Sequence, residues 1–268
     1  MDRVPDLTPA QLARRLRPLL AGALVALDFD GTLAPLVADP QASRPLPGTA
    51  ALLARLAERG ARVAVVTGRD AATAVRLSGL AGVPGLVVAG LYGAELWRAG
   101  ELTGAAAPAP IATLRARLPA TVAADPALWI EDKGLSLVVH ARRAADPDGA
   151  LAVVEPAVTQ LAAALGLEVH HGRAVLEVRL PGYDKARALR RLLEQADEPA
   201  SAVLYAGDDV GDLPAFDLVR RLRAGGLPAW GVCAASAEAP DVAAAADLAV
   251  DGPAGVQDLL RRLTATGT

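Results

Sequence analysis

Short, continuously apolar runs alternate along this chain with stretches whose apolar residues recur every three or four positions. Ala23 to Leu27, Arg62 to Val66, Leu86 to Ala89, Ala202 to Ala206 and Pro228 to Cys233 are runs of the first kind. They predict parallel strands covered on both faces, with a short further strand at Leu248 to Val250. The second kind predicts helices over residues 8 to 20, Thr49 to Arg59, Ala71 to Leu80, Lys185 to Gln195, Pro214 to Arg223 and Pro253 to Leu263. Thr8, Pro9 and Gln11 supply a capping box for the first of these, and Gly60 stops the second. Residues Pro35 to Pro47 read as loop, and Ala99-Gly100 as the turn of a hairpin.

Between about Ala105 and Tyr183 the pattern changes. An Ala- and Pro-rich stretch, AAAPAPIA, is a candidate linker. It is followed by a helix near Ile111 to Ala123, the hairpin-like WIEDKGLSLVVHARR, a helix from Asp148 to Leu165 interrupted at Pro156, and strands at Leu167 to His171 and Ala174 to Arg179. Helix, two strands, helix, two strands predicts a small α+β module with an antiparallel sheet. The expected fold class is therefore α/β: a Rossmann-like doubly wound parallel sheet core over 1–105 and 183–268, with an inserted α+β domain over 106–182.

Polar clusters stand at three strand ends: Asp28-Phe29-Asp30-Gly31-Thr32, Thr67-Gly68-Arg69, and Gly207-Asp208-Asp209-Val210-Gly211-Asp212. In open α/β sheets ligands bind at the strands' carboxyl ends. Asp28 and Asp30, two apart on an extended segment, point the same way. Carboxylates of Asp28, Asp208 and Asp212, with a backbone carbonyl from the Asp30 turn, suit a hard divalent ion such as Mg²⁺. Thr67, Lys185 and the amides near Gly31 and Gly68 suit phosphate oxygens. Phosphate-ester cleavage is the reaction this set can perform. Neither a G-x-G-x-x-G run nor a Walker lysine occurs, and no internal repeat is evident.

Composition narrows the partners. The 27 basic and 30 acidic residues leave a net charge of only −3, which makes no electrostatic case for nucleic acid or an anionic membrane. A small molecule is the expected partner of a protein expected to act as a monomer. The single cysteine, Cys233, excludes an intramolecular disulfide framework and fits a reducing compartment. No run reaches the roughly 18 to 20 apolar residues of a membrane span, and the amino terminus lacks a signal peptide's apolar core, so a cytoplasmic location is expected. Only Lys133 and Lys185 are lysines in a chain that otherwise uses Arg, which marks both as positions where a planar fork fails. His170 and His171 read as strand and turn residues, Cys233 as a core thiol, and Trp97, Trp129 and Trp230 as packing aromatics.

D-x-D-G-T, T-G-R, a lysine and G-D-D-x-x-D in this order resemble the four motifs of the haloacid dehalogenase superfamily of phosphohydrolases. That resemblance implies Asp28 as the nucleophile that forms an aspartyl-phosphate and Asp30 as the acid that protonates the leaving alcohol and then activates water. It implies metal ligands among Asp28, Asp30, Asp208, Asp209 and Asp212, and a phosphate side built from Gly31, Thr67, Gly68, Arg69 and Lys185. Asp28 is expected to stay ionised beside the metal and Lys185, and Asp30, close to another carboxylate, to hold its proton. The inserted module then resembles a cap that reads the leaving group.

Within that module, E-D-K-G-x-S-L-x-x-H-x-R and V-L-E-V-R resemble the cap signature of trehalose-6-phosphate phosphatases, and L-D-F-D-G-T-L-A-P and T-G-R-D fit the same family. The likeness runs from about Val25 to Gly255 and implies hydrolysis of trehalose 6-phosphate with Mg²⁺. By position it makes Glu131, Lys133, His140, Arg142, Glu177 and Arg179 sugar or phosphate-side contacts. The chain departs from the family pattern at Tyr92, where a His follows Gly-x, and at Gly211, where a Thr is common. Periodicity alone also allows a merely solvated sheet face. Other sugar phosphates, such as sucrose 6-phosphate or mannosyl-3-phosphoglycerate, and a binding protein without turnover remain alternatives.

Overall fold

The computed structural model describes residues 7–104, 109–123, 125–172, 174–235 and 240–265. Contacts divide the chain into two compact units, one formed by Met1–Thr103 with Asp184–Thr268 and the other by Gly104–Tyr183.

The first unit is built on an eight-stranded sheet. Its strands are β1 (Leu24–Leu27), β2 (Arg62–Val66), β3 (Val87–Gly90), β4 (Glu95–Arg98), β5 (Glu101–Gly104), β10 (Val203–Gly207), β11 (Ala229–Ala235) and β12 (Leu248–Asp251). Their order is β12-β11-β10-β1-β2-β3-β4-β5. The run from β12 to β3 is parallel, and β4 is antiparallel to β3. Alternation within β1 decides which layer each residue joins. Val25 and Leu27 pack with residues of α1 (Pro9–Leu16), α2 (Thr49–Glu58), α3 (Ala71–Ser78) and α9 (Gly252–Thr264), while Leu24 and Ala26 pack with α6 (Lys185–Glu194), α7 (Leu213–Ala224) and α8 (Pro240–Ala245). Helices on both faces of a mostly parallel sheet give the doubly wound α/β architecture.

The second unit pairs β6 (Trp129–Asp132), β7 (Ser136–His140), β9 (Val175–Arg179) and β8 (Glu168–Gly172), in that order, as an antiparallel sheet. One face, with Leu137, Val139, Leu176 and Val178, is buried against Ile111, Leu114 and Leu118 of α4 (Ala109–Val122) and Val154 and Val158 of α5 (Pro147–Ala164). Register puts Trp129, Glu131, Ser136, His140, Glu177, Arg179, Glu168 and His170 on the opposite face.

Several local expectations change. The opening helix ends at Leu16 and tightens into a 3₁₀ turn, Arg17–Leu19, because Pro18 cannot donate to the ladder. In the Ala/Pro stretch, residues 105–108 lie outside the described set, and Ala109 to Ala112 already belong to α4. Pro156 does not interrupt α5, which is continuous over Pro147–Ala164. Pro156 and Ala152, whose carbonyl loses its partner, are both exposed, so the lost bond falls on the solvent side of the helix. The helix α8 was not expected. No helix among the described residues is long and apolar enough to cross a membrane.

Candidate active site

β1 is apolar and fully buried until it stops at Asp28, whose amide donates to Ala206 of β10 at 2.8 Å. This pairing fixes the ends of β1 and β10 side by side. β10 ends at Gly207, which leads into Asp208. A Cβ at Gly207 would fall 2.2 Å from the Asp212 carboxyl carbon, and one at Gly31, where φ is +80°, 1.9 Å from Asp208 Oδ2. Both glycines are thus required for the acids to approach the backbone.

α6 begins at the point where the chain re-enters the first unit, with Asp184 as its cap and Lys185 as its first residue. Lys185 Nζ lies 2.9 Å from Asp28 Oδ2, 2.8 Å from Asp212 Oδ1 and 3.4 Å from Asp209 Oδ1. Asp212 is saturated: Tyr205 Oη also donates to Oδ1, at 2.5 Å, and the amides of Asp208 and Asp209 both donate to Oδ2 at 3.0 Å. Thr32 Oγ1 donates to Asp208 Oδ1 at 2.9 Å.

Carboxylate oxygens of Asp28, Asp208 and Asp212 converge within 4.8 Å, all three residues buried. Burial raises the Asp28 pKa to about 8, helped by Asp208 and Asp209 and opposed by Lys185. Asp208 rises to about 7, again chiefly through burial and against Lys185. Burial works against the charge of Lys185, yet Asp209, Asp212 and Asp28 together hold its pKa well above the ordinary lysine value. Three buried acids against one buried cation is an excess of negative charge made of hard oxygen donors. Asp30 and Asp209 stand outside the converging trio. The Asp209 side chain is 63% exposed.

Asp30 differs from expectation. It does not join the buried acids: its carboxylate is gripped by Arg69, Nε to Oδ2 at 2.6 Å and Nη2 to Oδ1 at 2.8 Å, and Ser43 Oγ donates to Oδ1 at 2.8 Å. Arg69 lies over the Phe29 ring, 5.7 Å from its centroid, and its amide donates to Thr67 Oγ1 at 3.1 Å. Thr67 is buried at the end of β2. A Cβ at Gly68 would fall 2.9 Å from the Tyr92 hydroxyl, so Tyr92 walls the T-G-R turn. Leu91 and Tyr92 hold consecutive left-handed conformations, φ 49° and 55°, and their amides bond the carbonyls of Arg69 and Thr67. Strain of this kind persists where surrounding structure enforces it.

In the inserted unit, His140 Nε2 bonds Glu131 Oε2 at 2.9 Å and Ser136 Oγ donates to Glu177 Oε1 at 2.6 Å. Arg179 Nη2 meets His170 Nδ1 at 3.3 Å, and His170 Nε2 meets Glu168 Oε2 at 3.2 Å. Lys133 lies in the turn after β6 and Arg142, exposed, in the turn after β7, so neither belongs to the paired strands. Trp129 is not a packing aromatic of the module's core. Its ring stacks on His140, 3.8 Å between centroids and 3° between planes. Trp97 and Trp230 do pack against the main core, and Cys233 is a buried thiol.

Four polar residues around the sites were not singled out from sequence: Thr32, Ser43, Ser136 and Tyr205. Thr32 lies inside the first motif, and Tyr205 is the one hydroxyl in the apolar run before Gly207, so both carried a signal. Ser43, in a long loop, carried none.

This rim sets buried acids and a lysine at the carboxyl ends of a doubly wound α/β sheet, and the comparisons with known proteins place the chain among phosphatases. A family model described as trehalose-phosphatase matches residues 26–253. A trehalose-phosphate phosphatase of Mycobacterium avium is 35% identical over 97% of this chain and 69% of its own length, and one of Mycobacterium tuberculosis is 35% identical over 97% and 68%. Among solved structures, the C-terminal domain of Candida albicans trehalose-6-phosphate phosphatase superposes with a TM-score of 0.78, covering 97% of each chain at 22% identity. The chain belongs to the trehalose-phosphatase family.

Proposed function

We propose that this phosphatase hydrolyses trehalose 6-phosphate to trehalose and phosphate with Mg²⁺, through an aspartyl-phosphate on Asp28. The observation that carries this reading is the Lys185 bridge: one buried ammonium holds Asp28 Oδ2 at 2.9 Å and Asp212 Oδ1 at 2.8 Å, fixing a carboxylate at a strand end. The acidic trio fits a hard divalent ion, which Asp28 and Asp208 would hold with Asp212 braced behind them; when bound it supplies charge to offset the phosphate's repulsion of the attacking carboxylate.

With Oδ2 anchored by Lys185, Asp28 attacks phosphorus through Oδ1. The P–O bond to the sugar breaks, and the departing alkoxide takes a proton from Asp30. Asp30 then removes a proton from water, the hydroxide attacks phosphorus, and the acyl-phosphate bond breaks to return Asp28 and release phosphate. Thr67, Lys185 and the amide at Gly68 orient the phosphoryl oxygens, whereas the Gly31 amide, expected to join them, donates instead to the Ala34 carbonyl at 2.7 Å. Uncatalysed phosphate-monoester hydrolysis needs up to roughly 10²¹-fold acceleration, so these fixed charges carry most of the catalysis.

The polar sheet face of the inserted unit, acting as a cap, supports a sugar leaving group, because its carboxylates and basic groups match a polyol's donors and acceptors. Phosphate release from trehalose 6-phosphate, sucrose 6-phosphate and mannosyl-3-phosphoglycerate with Mg²⁺ tests the assignment. Preference for trehalose 6-phosphate is the expected result. Wide preference for another ester overturns the substrate, and no release from any ester overturns the enzyme.

A further inference from the structure

The polar face of the inserted sheet contains a layered arrangement. Arg143 lies over the Trp129 ring, 5.5 Å from its centroid; Trp129 stacks flat on His140; and His140 Nε2 reaches Glu131 Oε2 at 2.9 Å. Trp129 and His140 are directly opposed across β6 and β7, and Glu131 follows two residues after Trp129 on the same face. The stack fixes the plane of the imidazole, and the bond to Glu131 fixes its edge.

His140 is 9% exposed, and its Nδ1 is buried without a hydrogen-bond partner among the described residues. A neutral imidazole carries one N–H. A proton on Nδ1 would bury an unpaired donor, whereas a proton on Nε2 is used by the Glu131 carboxylate. The arrangement therefore presents Glu131 with a donor that cannot turn away. Ordering a glutamate side chain costs conformational entropy, and a carboxylate already held in one rotamer has met that cost before ligand arrives.

We propose that His140 is not itself a sugar contact but a positioning residue: backed by Trp129, it holds Glu131 in the orientation that accepts hydrogen bonds from the hydroxyls of the sugar leaving group. This rests on the proposal that the polar face receives the sugar. Glu131 side-chain exposure is 31% and that of His140 only 11%, so the carboxylate is the more exposed member of the pair.

A double-mutant cycle with steady-state kinetics tests it. His140→Leu is expected to raise KM for trehalose 6-phosphate about tenfold and to lower the selectivity for that ester over p-nitrophenyl phosphate by a similar factor. His140→Gln, whose amide can still donate to Glu131, is expected to recover most of the loss. In a Glu131→Ala background, adding His140→Leu is expected to cost nothing further. An equal loss in that background, or equal losses on both esters, overturns the positioning role. If Glu131→Ala leaves KM for the sugar phosphate unchanged, the sugar-face reading itself falls; if Glu131→Ala raises KM and neither His140 variant does, only the present inference falls. Thermal denaturation of each variant separates misfolding from these outcomes, and the Gln variant keeps the cycle informative should the Leu variant not fold.

Discussion

Arg69 holds Asp30 by both carboxylate oxygens, at 2.6 and 2.8 Å, with Ser43 as a third donor. In the proposed mechanism, a proton delivered from Asp30 has to occupy an oxygen that now accepts from one of these groups. Arg69 thus sets where the carboxylate points, and the proposed proton transfer would open one of its bonds or that of Ser43.

Arg69→Ala is expected to lower kcat for the sugar phosphate by roughly 10²-fold, the lower range for loss of oriented acid–base help. p-Nitrophenyl phosphate, whose leaving group needs no proton, is expected to suffer less. Equal losses on both esters would mean that Arg69 serves the phosphate and not Asp30.

Lys185 is the buried counter-charge of three acids. Lys185→Met removes it and leaves carboxylates uncompensated, a class of change that costs about 3–5 kcal/mol. Urea denaturation in the absence of divalent metal is expected to show a loss of that order, and phosphate release is expected to be nearly abolished.

The raised pKa values of Asp28, about 8, and Asp208, about 7, have a sign that can be worked out. In the unfolded chain both titrate near 3.8, so between roughly pH 4 and 8 the native protein binds more protons than the unfolded one, and stability falls as pH rises. With metal chelated, Tm is expected to drop from pH 5 to pH 8. Asp208→Asn is expected to flatten that slope, and Mg²⁺ to stabilise more at pH 8 than at pH 5. A slope of the opposite sign would refute the assignment.

Gly31→Ala places a methyl group 1.9 Å from Asp208 Oδ2 on a residue whose φ is +80°. Either Asp208 or the turn must move. Activity is expected to fall by at least roughly 10²-fold, since a misplacement of about 1 Å in a catalytic group costs that much. Mg²⁺ titration is expected to give a weaker apparent affinity.

Pro156 stands mid-helix and exposed in α5. Pro156→Ala restores the missing N–H and is expected to raise the melting temperature, with a gain of up to about 3 kcal/mol. An unchanged or lower melting temperature would show that the helix has adapted to the ring.

The parallel strands, the inserted antiparallel module and the three acidic or hydroxyl strand ends were legible because burial on both faces writes continuous apolar runs and strand ends write Asp, Gly and Thr. Asp28, Lys185 and Asp208 meet as their spacing in the doubly wound pattern predicted. Asp30 was misread: proximity in sequence to Asp28 suggested a shared carboxylate environment, but Arg69, 39 residues away, claims it. Such a pairing depends on a crossing between two loops that no periodicity records. Trp129 was misread for a related reason. Its ring belongs to a sheet face whose neighbours are set by strand register, and register between β6 and β7 is not visible in the composition of either strand.

Asp28 is made before Lys185, with the whole of the second unit synthesised between them. A nascent chain therefore holds Asp28 without the ammonium that anchors it until the insertion has been synthesised. The buried contact of Lys185 with Asp28 forms only after both segments of the first unit exist, so the charge balance of this rim is a late event of synthesis.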